Sequence, residues 1–312
     1  MPQAIPKYGN KAVEVPGQMN ILIAGKNGGL VDTMILANIN PEKHRISLIS
    51  IPRDLYYNNR KINSIYALYG MEELKRSITF ISGYKIDKFI LIDMYAFIEV
   101  IDLIGGVDVH LDAAVIDPTY KTLDNGVWST LYYRAGDHHL SGKQALRLAR
   151  TRHTSSDFAR ADRQQTILKA LQTKAKTFGL GNAETLRKIA GTILQKTETD
   201  ITLPDALLDY FRYQSFKIEG GNVLSSGNVL ESKFTGELKP QAPCKEAATA
   251  GEKKESRANS AGESASTTPK TSDTSARKAP ECKKTDRGEY ILVPKNNNWD
   301  VTRWYFHNII ES

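Results

Sequence analysis

The sequence predicts a layered α/β domain. Apolar runs of strand length alternate with stretches of helical spacing from Asn20 onward, and no internal repeat interrupts them. The composition agrees: 312 residues, 40% hydrophobic and 25% charged, are enough to bury one large core or two small ones.

Residues 1–18, rich in Pro, Gly and Lys, form a loose lead-in. A strand follows at Ile21–Ala24 and ends in a glycine-bearing turn, Gly25-Lys26-Asn27-Gly28-Gly29. DTMILANINPEKHRISLISIPRD reads as a hairpin: Met34 to Leu36 on one strand, Asn40 to Lys43 as the turn, Ile46 to Ile49 on the return. Pro52 stops that strand and leaves Arg53 and Asp54 at its exit. Lys61-Ile62-Asn63 leads into a helix over Ser64–Ser82, followed by a strand at Asp87–Asp93 and a helix at Tyr95–Leu103. GGVDVHL is a short strand after a Gly-Gly turn. Asp117–Arg134, with Tyr120, Trp128, Tyr132 and Tyr133, is a long loop or a hairpin. SGKQALRLA is a short helix with Ser141 as its cap, and a long helix runs over Phe158–Lys176. Helices over Ala183–Gln195 and Pro204–Phe211 come next, the second opening on a proline as helix starts allow.

Phe216–Leu238 reads as strands and turns. Residues 240–287 are nearly free of large apolar side chains and form a disordered, low-complexity insertion, because they cannot bury enough surface to fold. EYILVPK is then a strand and Trp299–Ile310 a helix, so residues 288–312 complete the domain of 19–239. Pairing of Lys233–Leu238 with Tyr290–Val293 would bring the insertion's ends together. Cys244 and Cys282 flank it, either as a disulfide at its base or as two free thiols.

The net charge of +7 favours anionic partners, whether phosphate, nucleic acid or an anionic surface. No CxxC spacing marks a metal site. No run in the first residues is long and apolar enough to cross a bilayer, which fits either a soluble chain or one whose anchor was removed.

The chemistry concentrates in ALRLARTRHTSSDFARADRQQ, Ala145 to Gln165. It holds Arg147, Arg150, Arg152, Arg160 and Arg163 against only Asp157 and Asp162. Guanidinium forks match paired phosphate oxygens. Arg150 and Arg152, two apart, would point the same way on an extended segment. Arg160, Arg163 and Gln164 share a helix face, and a helix start near Asp157 would itself favour an anion. The same run also fits a plain solvated basic face. Having no helix-turn-helix signature, and with its arginines at one focus and not in a stripe, the chain is not expected to bind nucleic acid.

Five motifs occur in order: DTMILANINPEKHRISLISIPRD, KIN, IDLIGGVDV, G-x-x-x-LSGKQALRLARTR and D-F-x-R-x-x-RQQ. On these the chain resembles the LytR-CpsA-Psr family of cell-wall glycopolymer transferases, strongly from Asn20 to Lys176. The resemblance implies a three-layer α-β-α fold, a central mixed sheet flanked by helices, with an apolar tunnel for a lipid tail. It implies a site on the extracytoplasmic face of the bacterial cell membrane, and transfer of a polyprenyl-pyrophosphate-linked glycopolymer to a peptidoglycan sugar hydroxyl as a phosphodiester. It places Asp32 at an acidic, Mg²⁺-binding position. It places Arg53, Arg150, Arg152, Arg160, Arg163 and Gln164 against the pyrophosphate. Lys61 and Asn63 would fix the neighbouring loop. Family members carry a second acid in the turn after the first strand; here Asn27 stands there, an oxygen ligand without charge, and Lys26 could neutralise phosphate instead. The alternative is a protein that binds polyprenyl phosphate without turning it over. Each residue also has a plain role: Arg53 as a surface residue, Asp32 as a turn residue, Asp54 as a partner of Arg53.

Overall fold

The computed structural model describes residues 7, 12–124, 126–151, 157–177, 183–238 and 288–312. The chain divides into two compact units, Met1–Lys233 with Tyr290–Ser312, and Phe234–Glu289. Of the second, the described residues form a turn of 3-10 helix, Thr235–Leu238, with Thr235 N–H donating to the Glu289 carbonyl.

The first unit opens with strands β1 (Met19–Asn27), β2 (Leu30–Asn40) and β3 (Arg45–Ser50). They form an antiparallel meander, Leu22 opposite Leu36 and Leu36 opposite Ile49. The first turn is tighter than the sequence predicts: Gly25, Lys26 and Asn27 belong to β1, and Gly28-Gly29 alone make the turn. Strand pairing wins there because Lys26 and Asn27 match Val31 and Leu30 across a register shift at Gly25/Lys26.

Short strands β4 (Tyr56–Tyr57) and β5 (Arg60–Lys61) pair and lead into helix α1 (Ile65–Ser82). Gly70 (φ 82°, ψ −178°) breaks α1, so the run predicted as one helix is kinked. Strand β6 (Lys88–Asp93) lies parallel to β1, and helix α2 (Met94–Leu103) follows. The Asp93 carboxylate caps α2, accepting from the N–H groups of Tyr95 and Ala96.

Strand β7 (Val107–Leu111) precedes a true hairpin, β8 (Val115–Asp124) and β9 (Val127–Tyr133), where the sequence left loop or hairpin open. Strand β10 (Gly136–Leu140) pairs with β7, and helix α3 (Gly142–Arg150) starts at Ser141, whose N–H and O–H both reach the Gln144 side-chain oxygen. Helices α4 (Asp157–Lys176) and α5 (Ala183–Lys196), strand β11 (Glu198–Thr199), helix α6 (Leu203–Tyr213) and strand β12 (Lys217–Val223) follow.

Strand β13 (Leu230–Phe234) pairs with β14 (Tyr290–Pro294), and helix α7 (Trp299–Glu311) ends the chain. The pairing segment therefore lies earlier than the Lys233–Leu238 expected from sequence, since Thr235–Leu238 coils into 3-10 helix. Cys244 and Cys282, and the insertion between them, lie outside the described residues.

The six-stranded mixed sheet has the order β11-β6-β1-β2-β3-β12. Period-two alternation gives each strand two apolar faces. Leu22, Met34, Leu36 and Ile49 pack with α1 and α7 through Leu74, Ile78, Phe306 and Ile310. Ile35, Ala37 and Leu48 pack with Leu168 of α4 on the other face. A separate apolar cluster joins α3 and α4 to β7, β9 and β10. The architecture is the three-layer α-β-α sandwich. Among the described residues no helix is long and apolar enough to cross a membrane.

Candidate functional site

The antiparallel meander places the end of β1, the start of β2 and the exit of β3 at the same end of the sheet's central strands. That end collects Lys26, Asn27, Asp32 and Arg53. Arg53 Nη1 donates to Asp32 Oδ1 at 2.9 Å, and both side chains stay about a quarter to a third exposed, at 25% and 30%. Asp54 lies beside them, its Oδ1 3.0 Å from Lys61 Nζ and its Oδ2 3.5 Å from Arg53 Nε. Arg53 Nε is buried with no hydrogen-bond partner. The group facing it is the Asp54 carboxylate, at ion-pair and not hydrogen-bond distance.

The second group arrives on α4. Gln164 Nε2 donates to Thr33 Oγ1 at 2.9 Å and to the Ala149 carbonyl at 3.2 Å. Gln164 thus ties α4 to the residue next to Asp32 and to the end of α3. Arg163 is buried and grips the end of α3, Nε donating to the Leu148 carbonyl at 3.1 Å and Nη2 to the Thr151 carbonyl at 2.6 Å. These are the carbonyls a helix C-terminus leaves unsatisfied. Burial pulls the Arg163 pKa below the ordinary guanidinium value, opposed by Asp162 and Asp117. Arg160 is likewise buried, one turn earlier on the same helix.

The arginine run does not all converge. Arg150 ends α3 as a helical, exposed residue, not on the extended segment expected for it; α3 closes one residue beyond the predicted Ala149, where Arg163 binds the Leu148 and Thr151 carbonyls. Arg147 leaves the group and clasps Asp124 of the β8–β9 hairpin with both Nη atoms, at 2.6 and 2.9 Å. That pair raises the Arg147 pKa and holds the Asp124 carboxyl far below the usual range. Arg152 and His153 lie outside the described residues. Lys26 turns to Glu198 at 3.5 Å and stands over the Tyr66 ring, 5.6 Å from its centroid. Asn27 is exposed at the end of β1.

Three buried anchors are not legible in the spacing: Asp117, Thr151 and Gln165. Asp117 accepts from Thr119, Tyr120 and Thr151, the last at 2.6 Å, and so fixes the residue before Arg152. Thr151 is itself buried. Gln165, fully buried, joins Ser50 of β3 to Gly221 and Asn222 of β12. Asp-Pro at 117–118 marks a turn, but nothing in the spacing points it at Thr151.

Among the described residues no group of three or more His, Cys, Asp or Glu is placed to hold a metal. Asp32 and Asn27 supply one carboxylate and one carboxamide on the β1–β2 hairpin, which suits Mg²⁺ only as an ion completed by water and substrate phosphate. Two surface clefts of about 380 and 520 Å³ are lined by Lys75, Phe80 and Arg303, and by Asn222, Trp304 and Tyr305; neither is lined by Asp32, Arg53 or the arginines of α3 and α4.

A model of the LytR_cpsA_psr family matches residues 6–228. The polyisoprenyl-teichoic acid–peptidoglycan teichoic acid transferase TagV of Bacillus subtilis is 29% identical over 227 residues, covering 69% of this chain and 56% of that protein. TagU of Bacillus cereus, with the same activity in its name, is 29% identical over 49% of this chain and 50% of its own length. The regulatory protein MsrR of Staphylococcus aureus is 28% identical over 63% of this chain and 60% of its own length. The chain thus spans about half the length of these curated relatives. The crystal structure of B. subtilis TagV superposes with a TM-score of 0.63 at 21% identity, covering 97% of this chain and 98% of that one, a likeness of fold.

Proposed function

Since the chain belongs to the LytR-CpsA-Psr family, we propose that it transfers a glycopolymer from a polyprenyl-pyrophosphate carrier to a peptidoglycan sugar hydroxyl, on the outer face of a bacterial membrane. The acceptor hydroxyl loses its proton to solvent as its oxygen forms a new bond to the sugar-linked phosphorus, the phosphoanhydride bond breaks, and polyprenyl phosphate leaves with the electron pair. The product is a phosphodiester. The teichoic acid transferase activities for which the TagV and TagU relatives are named support this reading.

The observation that carries it is the Arg53 guanidinium, 25% exposed and held between the carboxylates of Asp32 and Asp54. The two carboxylates aim the fork, and its exposed part is presented to a phosphate oxygen. Such a donor needs no reorganisation as charge builds on the leaving phosphate. Lys61 and Asp54 hold the Arg53 loop in place. Gln164 ties α4 to Thr33 beside Asp32 and Arg163 holds the end of α3; the arginines assigned to the pyrophosphate besides Arg53 are Arg150, Arg152 and Arg160. Mg²⁺ held by Asp32 and Asn27 would neutralise further phosphate charge when bound.

The test is release of polyprenyl phosphate from a lipid-pyrophosphate-linked glycan in the presence of peptidoglycan fragments and Mg²⁺. Arg53→Ala is expected to slow release by roughly 10²–10³-fold, the loss typical of a removed oxyanion donor. Absence of release by the wild-type chain, or equal release by Arg53→Ala, refutes the proposal. A second reading, binding without turnover, is favoured by the uncharged Asn27 at the expected acidic position. It predicts lipid binding that persists in chelator and in Asp32→Ala, with no release under any condition.

A further inference from the structure

The hairpin β8–β9 has an outer face whose large apolar side chains are exposed. Its inner side packs: Leu131 and Tyr133 are buried in the α3/α4 cluster, and Thr122 is buried with them. Its outer side carries two cross-strand pairs, Ile116 opposite Tyr132 and Leu123 opposite Trp128, with Lys121 opposite Thr130 between them. Ile116 and Leu123 are each 43% exposed, Tyr132 62% and Trp128 69%. Val127, at the turn beside Gly126, is 66% exposed.

The charge on this face is of one sign. Lys121 is exposed, and Arg134 follows exposed at the base. The carboxylates of the two strands point elsewhere: Asp117 is buried on Thr151, and Asp124 is held by Arg147 and Lys143 of α3. At the base, Asp137 and Asp112 are both within reach of His110. So the surface combines two aliphatic side chains, an indole, a phenol and a central ammonium, with no carboxylate among them.

We propose that this hairpin face docks on an anionic lipid surface. Indole and phenol rings favour the headgroup level, with an apolar body inward and a polar tip in water. Leucine, isoleucine and valine supply apolar area to bury, and a lysine can lay its stem along them with its ammonium at the lipid phosphates. A carboxylate on such a face would oppose the contact; of the hairpin's own two, Asp117 is buried and Asp124 is neutralised by Arg147 and Lys143. The inference rests on the membrane-side placement proposed above and adds to it the surface that makes the contact.

The test is sedimentation of the full chain with vesicles of phosphatidylglycerol and phosphatidylcholine, against phosphatidylcholine alone. The wild-type chain is expected to sediment with the anionic vesicles. The double substitution Leu123→Ser with Trp128→Ser should weaken that partition at least about tenfold. Lys121→Glu should weaken it on anionic vesicles and leave the neutral ones unchanged. Trp299 and Trp304 are partly buried, so a blue shift of emission on adding vesicles should vanish in Trp128→Phe. That conservative change also guards against a variant that fails to fold. Sedimentation unaffected by these substitutions overturns the proposal. So does loss, in the double variant, of binding to insoluble peptidoglycan or of self-association in place of vesicle binding. Transfer measured with a short-chain, water-soluble carrier should be unchanged in the double variant, so that failure of docking and failure of the transfer reaction give different results.

Discussion

Arg53 and Arg163 are both arginines of the predicted set, yet the structure gives them different work. Arg53 is partly exposed and shares its charge with Asp32 and Asp54. Its loss removes little stability, about 1 kcal/mol or less, as for other partly solvated pairs. Arg163 is buried and satisfies two carbonyls at the end of α3. Arg163→Ala leaves both carbonyls without a donor and should cost about 3 kcal/mol of unfolding free energy, read from denaturant midpoints. Arg53→Ala should therefore lower transfer without moving the midpoint, and Arg163→Ala should lower both. If Arg163→Ala keeps full stability, its carbonyl contacts are not what holds α3. The spacing of Arg160, Arg163 and Gln164 placed them on one helix but could not separate these roles, because burial is a property of the packed helix and not of the spacing.

Two packing details of the helices and the small sheet lead to further tests. Gly142 opens α3 directly against α2: a Cβ there would sit 2.2 Å from the Ile98 carbonyl oxygen. Its N–H also donates to Asp102 at 2.7 Å. Gly142→Ala must push α3 off α2 and should cost about 3 kcal/mol, measured by thermal or denaturant unfolding. In the β7–β10 pair, His110 faces Asp137 across the strands with Nδ1 2.6 Å from the carboxylate. The hydrogen bond to Asp137, and then its charge, raise the His110 pKa above the ordinary histidine value. A raised folded pKa means the pair helps most below the unfolded value and the help is lost as pH rises through the folded one. A histidine NMR titration should show His110 titrating high, and Asp137→Asn should return it to the ordinary range. The sequence placed β7 correctly but did not mark this pairing, since the partner strand β10 lies beyond the whole hairpin.

The core under α1 and α7 is assembled from residues as distant as Leu22 and Ile310. Phe306 and Ile310 are fully buried there, and Leu292 of β14 meets Leu55 in an isolated bridge. The last helix thus closes the first sheet. Phe306→Ala should cost about 3–5 kcal/mol, the usual range for a buried phenylalanine emptied to a cavity. A much smaller loss in calorimetry or denaturant unfolding would mean that α7 packs only loosely on the sheet.

Local pattern sufficed for most elements. Apolar runs of strand length marked β1 to β3 and β6, helical spacing marked α2, α4, α6 and α7, and Ser141 and Pro204 marked helix starts, because each is set by residues within a few positions of one another. The ordered motifs likewise pointed to the family. What depended on folding was partnership: Arg147 with Asp124, Arg163 with the end of α3, Gln164 with Thr33, and Lys26 with Glu198. Those contacts join positions up to 172 residues apart. Their choice follows from which faces the layered core leaves open, and no run of neighbouring residues encodes that.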